Sequence, residues 1–216
     1  MGLVFSTRIL KIDKYRVTKR KLAEAVAVLR AGGVVVHPTE SSYGLAVDPA
    51  NREAVRRLFE LKGRPDDKPV LVVAASVGQA EQNVVIHPVL KKLVKRYWPG
   101  PLTVIGHPLS IMYVRGLNRF SDVAVRVPAS AWARALAAEL GRPITSTSAN
   151  RSNDPPAYSL AAVRRSFVTS TIKPDLMLDA GSLSIRPLST IVRERRGRLE
   201  VLRPGLIVIP DQHERP

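Results

Sequence analysis

The chain has 216 residues, 45% apolar but only 5% aromatic, enough to bury one aliphatic core and at most a small appendage besides. It has no cysteine, which excludes disulfides, thiolate metal sites and a cysteine nucleophile, and no run near the roughly 20 apolar residues that cross a bilayer. The net charge of +16, with basic clusters at 11–21, 91–96 and 193–203, describes either a solvated basic surface or a partner for polyanions such as RNA.

Residues 1–21 alternate apolar and basic residues without a continuous apolar stretch, so no secretory signal is read there and a cytoplasmic protein is expected. Thr18–Arg30 is predicted as an amphipathic helix capped by Thr18, with Leu22, Ala25, Val26 and Leu29 on one face and Gly32-Gly33 as its stop. Val34–Val36 reads as a short buried strand that empties into a polar turn, Pro38–Leu45. Asn51–Lys62 is the second helix, with Ala54, Val55, Leu58 and Phe59 inward and Gly63 at its end. Pro69–Ala75 is an almost wholly apolar strand. Pro88–Trp98 is a helix with proline in its first turn, stopped by Pro99-Gly100-Pro101. Leu102–Gly106 and Val123–Val127 are strands, and Ser130–Leu140 is a helix between a serine cap and Gly141. Later, 176–178, 190–193 and 199–202 read as strands, the last two joined by an Arg195-Arg196-Gly197 hairpin. Helices and strands alternate first and strands cluster later, which argues one α/β domain over 1–210 and a polar tail over 211–216.

No glycine-rich phosphate loop, dinucleotide fingerprint or nucleophile elbow occurs. His37, His87, His107 and His213 lack metal-ligand spacing and read as surface or turn residues. What remains is polar segments that follow strands, where open α/β sheets hold ligands. The run Thr145-Ser146-Thr147-Ser148-Ala149-Asn150 sets four hydroxyls and an amide after apolar Pro143-Ile144, poor material for a core or a helix. Thr39 and Ser148 either line a crevice or cap turns. Lys62, Arg64 and Lys68 gather three cations within seven positions, stiffened by Pro65 and Pro69; they either answer a helix dipole or form a rigid fork for phosphates. Arg126 sits in an apolar strand, where alternation places it with Ala124 and opposite Val123, Val125 and Val127, on a solvated face or aimed into a cavity. Arg203, ahead of Pro204-Gly205, is another cation at a strand end.

In order, the blocks Pro38–Leu45, Lys62-Gly63-Arg64-Pro65, Trp98–Thr103, Val125–Pro128, Ser148-Ala149-Asn150, Ser189-Thr190-Ile191 and Arg203-Pro204-Gly205 resemble the YrdC family of threonylcarbamoyl-adenylate synthases across nearly the whole chain. The resemblance implies a single domain of the short type, with a twisted, mixed parallel/antiparallel sheet flanked by helices around a deep basic cavity. It implies a nucleotidyltransferase that converts L-threonine, bicarbonate or CO2 and ATP into threonylcarbamoyl-AMP and pyrophosphate for tRNA modification. Thr39, Tyr43, Arg126, Ser146 and Ser189 would hold threonine. Lys62, Arg64, Lys68, Ser148, Asn150 and Arg203 would bind ATP, with Lys62, Arg64 and Arg126 carrying catalysis. Mg2+ would arrive with ATP, without a protein-bound structural metal; tRNA or other RNA and downstream threonylcarbamoyl-transfer proteins are the implied partners, and no membrane. The chain departs from the family's pattern at Val73, Lys68, Asp122 and 151–156. The reading from a different class is a non-catalytic RNA-binding module of the same fold.

Overall fold

The computed structural model describes residues 7–63, 70–109 and 122–209. In chain order the elements are β1 (Arg8–Lys11), α1 (Lys19–Arg30), β2 (Val35–Pro38), β3 (Tyr43–Ala46), α2 (Arg52–Lys62), β4 (Val72–Val73), α3 (Val77–Asn83), β5 (Val84–Val85), α4 (Pro88–Tyr97), β6 (Leu102–Pro108), β7 (Val123–Arg126), α5 (Ala131–Leu140), β8 (Ile144–Thr145), β9 (Thr147–Ser148), α6 (Leu160–Ser166), β10 (Leu176–Asp179), β11 (Thr190–Arg195) and β12 (Arg198–Arg203). The expected mixed α/β fold is present, its strands divided between two sheets. One runs β1-β10-β2-β3-β9; the other runs β12-β11-β6-β7-β4-β8, with β5 paired to β6. Both mix directions: β10 lies parallel to β1 and β2, while β2–β3 and β6–β7 are antiparallel.

Period-two burial decides what each strand faces. In and around β2, Val34 and Val36 join one apolar cluster with α2, α4 and the second sheet, while Val35 joins another with α1 and α5. On β10, Met177 belongs to the first cluster and Leu176 and Leu178 to the second. The first sheet is therefore covered on both sides. One face of the second sheet is apolar, formed by Leu102, Val104, Val123, Val125 and Val192. Its other face packs Val73 of β4 and Ile144 of β8 into the second cluster with α5, and along β6, β7 and β11 carries Thr103, Ile105, Ala124, Arg126 and Ile191, which line a cavity.

The helices begin and end as local chemistry dictates. Asn51 Oδ1 accepts from Ala54 N at 3.0 Å to start α2, and Gly63 ends it at φ +57°, where a side chain would be strained. Ser130 Oγ accepts from Ala133 N at 3.3 Å and donates to Pro38 O at 2.8 Å. One hydroxyl thus caps α5 and ties it to the end of β2, just ahead of the Thr39 turn. Thr18, by contrast, occupies the N-cap position of α1 without a side-chain cap bond. The hairpin at Arg196 and Gly197 has positive φ at both residues, as the turn between β11 and β12 requires.

Three sequence expectations change. Residues 43–46 form β3 rather than the end of a turn. The strand expected over 69–75 is two residues long within the described part, although Leu71 O and Ala74 N continue its pairing, to Ser146 N at 2.8 Å and Arg126 O at 2.9 Å. His37, expected as a surface or turn residue, lies on β2 with no exposure, because both faces of that strand are covered. The tail at 211–216 lies outside the described residues.

Candidate active-site cavity

A cavity of about 410 Å³ opens between the Arg126 face of the second sheet and the loops at the end of the first. Seven separate stretches converge on it: the 39–44 turn and strand, Leu71, β6, β7, the run 146–148, the 188–191 approach to β11, and the end of β12. Of the residues singled out in the sequence, Thr39, Tyr43, Arg126, Ser146, Ser148, Ser189 and Arg203 line it.

The Thr39 turn is held by its own side chain. Thr39 Oγ1 donates to Ser42 O at 2.7 Å and accepts from Ser41 N at 3.1 Å and Ser42 N at 3.2 Å. Its hydroxyl proton is thus committed to the loop, which presents Ser41 and Ser42 to the cavity beside it. Tyr43 turns its phenol away: the hydroxyl donates to Gly181 O at 2.7 Å and accepts from Ala180 N at 2.9 Å. Burial pushes this phenol up to about 12, with Asp179 adding to the effect and the Ala180 N–H opposing it, so it remains a donor. It pins the irregular 180–189 segment that delivers Ser189.

Arg126 is 3% exposed, and its Nη1 lies 3.4 Å from Glu40 Oε1. Its Nε has no hydrogen-bond partner among the described residues. Burial pushes its pKa down, opposed by Glu40, yet a guanidinium stays charged in proteins. Arg203 is likewise lowered, by burial first and by the positive Arg126 second. Two cations that repel each other across a recess favour an anionic occupant.

Arg203 is aimed by its neighbour. Nη2 donates to Ser189 O at 2.9 Å and to Ser189 Oγ at 3.1 Å, and Ser189 Oγ lies 2.9 Å from Thr103 Oγ1. Gly205 explains how β12's end fits so closely. A Cβ there would sit 2.3 Å from Leu188 O and 2.5 Å from Thr190 N. Gly205→Ala is therefore expected to cost about 1–3 kcal/mol by overpacking and to push Ser189 off Arg203. A urea midpoint equal to that of the unsubstituted chain would contradict that packing.

Lys62 does not line the cavity. It is 3% exposed, and its Nζ donates to Ser148 O at 2.6 Å and Asn150 O at 2.7 Å. Asn150 Nδ2 donates onward to Arg151 O at 2.8 Å and Asp154 O at 2.7 Å. These two residues brace the loop from behind while Ser148 faces the cavity. Arg64 and Lys68 lie outside the described residues.

Sequence reading missed His37. Its Nε2 lies 3.3 Å from Ser146 Oγ, and burial pushes its pKa down from 6.5 to about 4, the positive Arg126 adding to this while the Pro38 backbone and Glu40 oppose it. The sign is that of a base kept neutral by folding. Below pH 6.5 the unfolded chain takes up a proton that the folded chain refuses until about pH 4. The contribution is complete above pH 6.5 and is lost as pH falls toward 4, by about 3 kcal/mol in all. Urea titrations between pH 7 and 4 should show a flatter decline for His37→Gln than for the unsubstituted chain; parallel curves would refute it. Thr103, Ser41, Ser42 and Thr147, which lie in blocks singled out in the sequence but were given no role of their own, also line the cavity. Period-two alternation alone could have found Thr103, which sits between Leu102 and Val104.

Among the described residues, no three His, Cys, Asp or Glu side chains gather to hold a metal, and no helix is long and apolar enough to cross a membrane.

A family model covering Sua5, YciO and YrdC proteins, described as "Telomere recombination", matches residues 27–205. A threonylcarbamoyl-AMP synthase of Marinobacter nauticus is 40% identical over 153 residues, covering 68% of this chain and 78% of its own. The crystal structure of Pyrococcus abyssi Sua5 complexed with L-threonine superposes with a TM-score of 0.83 at 34% identity, over 92% of this chain. The chain spans only 58% of that protein's length. Escherichia coli YciO shares the fold at a TM-score of 0.82 and 24% identity, over 93% of this chain and 97% of its own.

Proposed function

As this chain belongs to the Sua5/YciO/YrdC family, we propose that it is a nucleotidyltransferase that makes threonylcarbamoyl-AMP and pyrophosphate from L-threonine, bicarbonate or CO2, and ATP. The observation that carries the reading is the convergence of Thr39, Arg126, Ser146, Ser148, Ser189 and Arg203 on one cavity whose two arginines repel each other. A volume of about 410 Å³ suits an amino acid set against the innermost phosphate of a nucleotide.

In this reading Arg126 pairs with the threonine carboxylate, and Ser146, Ser189 and the Thr39 turn supply hydrogen bonds around it. The amine nitrogen bonds to the carbon of CO2 and gives up a proton, leaving a carbamate; starting from bicarbonate, that proton leaves with the bicarbonate hydroxyl as water. A carbamate oxygen attacks the α-phosphorus, and the bond from that phosphorus to the pyrophosphate oxygen breaks. The attacking oxygen is already anionic, so no general base is needed; positioning and charge neutralisation carry the step. Arg203 and Ser148 face the phosphates, and Arg64 and Lys68 are proposed to bind ATP as well. Lys62 and Asn150 contribute by bracing the Ser148 loop. Magnesium bound to the nucleotide would supply charge neutralisation on the phosphate oxygens.

The product serves threonylcarbamoyl modification of tRNA in the cytoplasm, passing to a transfer protein. The +16 charge and the arginines at 195, 196 and 198 on the hairpin favour an RNA partner for the outer surface. The experiment is pyrophosphate release with L-threonine, bicarbonate and ATP, with threonylcarbamoyl-AMP identified by mass. Release no greater than in a control without threonine, alongside steeply salt-dependent RNA binding, would favour the non-catalytic module instead.

A further inference from the structure

We propose that His37 is a positioning residue for the amino-acid end of the cavity: it fixes the direction of the Ser146 hydroxyl, and so tunes affinity for threonine without touching the substrate. The inference rests on the reading of this cavity as the threonine site. Three observations carry it. His37 has no exposure and lies outside the cavity wall, yet its Nε2 is 3.3 Å from Ser146 Oγ, which is in the wall. Its Nδ1 has no hydrogen-bond partner among the described residues, so the contact with Ser146 is the ring's side-chain hydrogen bond there. The third is the strand between them. His37 on β2 pairs across with Gly44 on β3, and β9 follows on β3's far side.

A Cβ at Gly44 would sit 3.0 Å from His37 Nε2 and 3.1 Å from Ser146 Oγ. The imidazole thus reaches over a residue without a side chain to meet a serine 109 positions away. A hydroxyl alone rotates among three staggered wells. Held at one lone pair or by its proton, it keeps its two remaining directions fixed toward the cavity. A neutral imidazole is the form that serves, because it can accept or donate at Nε2 without adding a third cation beside Arg126 and Arg203.

The test measures threonine and ATP affinities by calorimetry, and kcat and KM by pyrophosphate release, in His37→Phe, His37→Gln, Ser146→Ala and the double variant H37F/S146A. One hydrogen bond's worth of orientation predicts a threonine KM raised about two- to twelve-fold in His37→Phe, with ATP affinity and kcat little changed. His37→Gln, which keeps a polar terminus near Nε2, should recover most of the loss. In the S146A background, His37→Phe should add less than about twofold, because the group it acts through is gone. Multiplying losses, a joint fall in ATP and threonine affinity, or unchanged threonine affinity in His37→Phe would each overturn the proposal. Should the phenylalanine variant fail to fold, the unsubstituted protein carries the test through the nitrogen resonances of its imidazoles. The His37 Nε2 signal, assigned by its loss in His37→Gln, should move on saturation with threonine and stay put with ATP. A His37 signal that ignores bound threonine sinks the inference. Absence of threonine binding in the unsubstituted protein sinks the functional reading instead.

Discussion

Arg126→Met should lower kcat/KM for threonine by about 10²–10³-fold, and mostly through KM. The side chain is 3% exposed, in a cavity whose other cation, Arg203, is already tied to Ser189. A charge-assisted bond from a buried guanidinium to a carboxylate is worth about twice a neutral one, and methionine keeps the bulk while removing it. A complication is built into the fold: Glu40 faces Arg126 at 3.4 Å, and neither of its oxygens has another hydrogen-bond partner among the described residues. Removing the arginine strands that carboxylate, at a cost on the order of 3 kcal/mol. A denaturation titration should show that loss, and adding Glu40→Gln should restore much of it without restoring activity. Recovery of stability without recovery of turnover separates Arg126's place in the fold from its place at the substrate. A variant within about threefold of the unsubstituted kcat/KM would remove Arg126 from the site.

Arg126 was legible because strand alternation is a local rule. In Val123–Val127 the valines fall on one side, so the arginine falls with Ala124, and both line the cavity. Helix boundaries were legible for the same reason: Ser130, Gly63 and Gly141 act within three or four residues of themselves. The ordered blocks of the family resemblance reached further, over most of the chain. What could not be read depends on partners far away in sequence. β1 looks like a basic, half-polar segment, and becomes a strand because β10, some 168 positions on, pairs with it. Tyr43–Ala46 looks like a turn because Gly44 and two serines crowd it; it is a strand because β2 and β9 flank it. His37 looks like any lone histidine until its strand is covered on both faces. Thr18 shows the opposite limit: a good capping residue in the capping position whose side chain makes no cap bond.

Lys62 is the sharpest instance, and it yields the second large effect. From the sequence, Lys62 reads either as a cation answering the helix dipole or as one prong of a fork for phosphates. Instead it is buried, with Nζ on the carbonyls of Ser148 and Asn150, 86 and 88 positions later. Lys62→Met keeps the stem and deletes the charge, leaving those two carbonyls short of a donor. Hydrogen bonds to charged groups contribute about 1.5–3 kcal/mol each, and a loss of about 2–4 kcal/mol here should lower Tm by roughly 5–15 °C. Turnover should fall by at least about 10²-fold, because Ser148 is released from the position that faces the cavity. The two readouts decide what kind of residue Lys62 is. Loss of Tm and turnover together makes it the brace of the Ser148 loop. Lost turnover at an unchanged Tm means that its ammonium leaves those carbonyls for the nucleotide phosphates once ATP is bound. In that case the protection ATP gives the unsubstituted chain against unfolding should vanish in Lys62→Met, whereas a brace predicts that protection reduced but present.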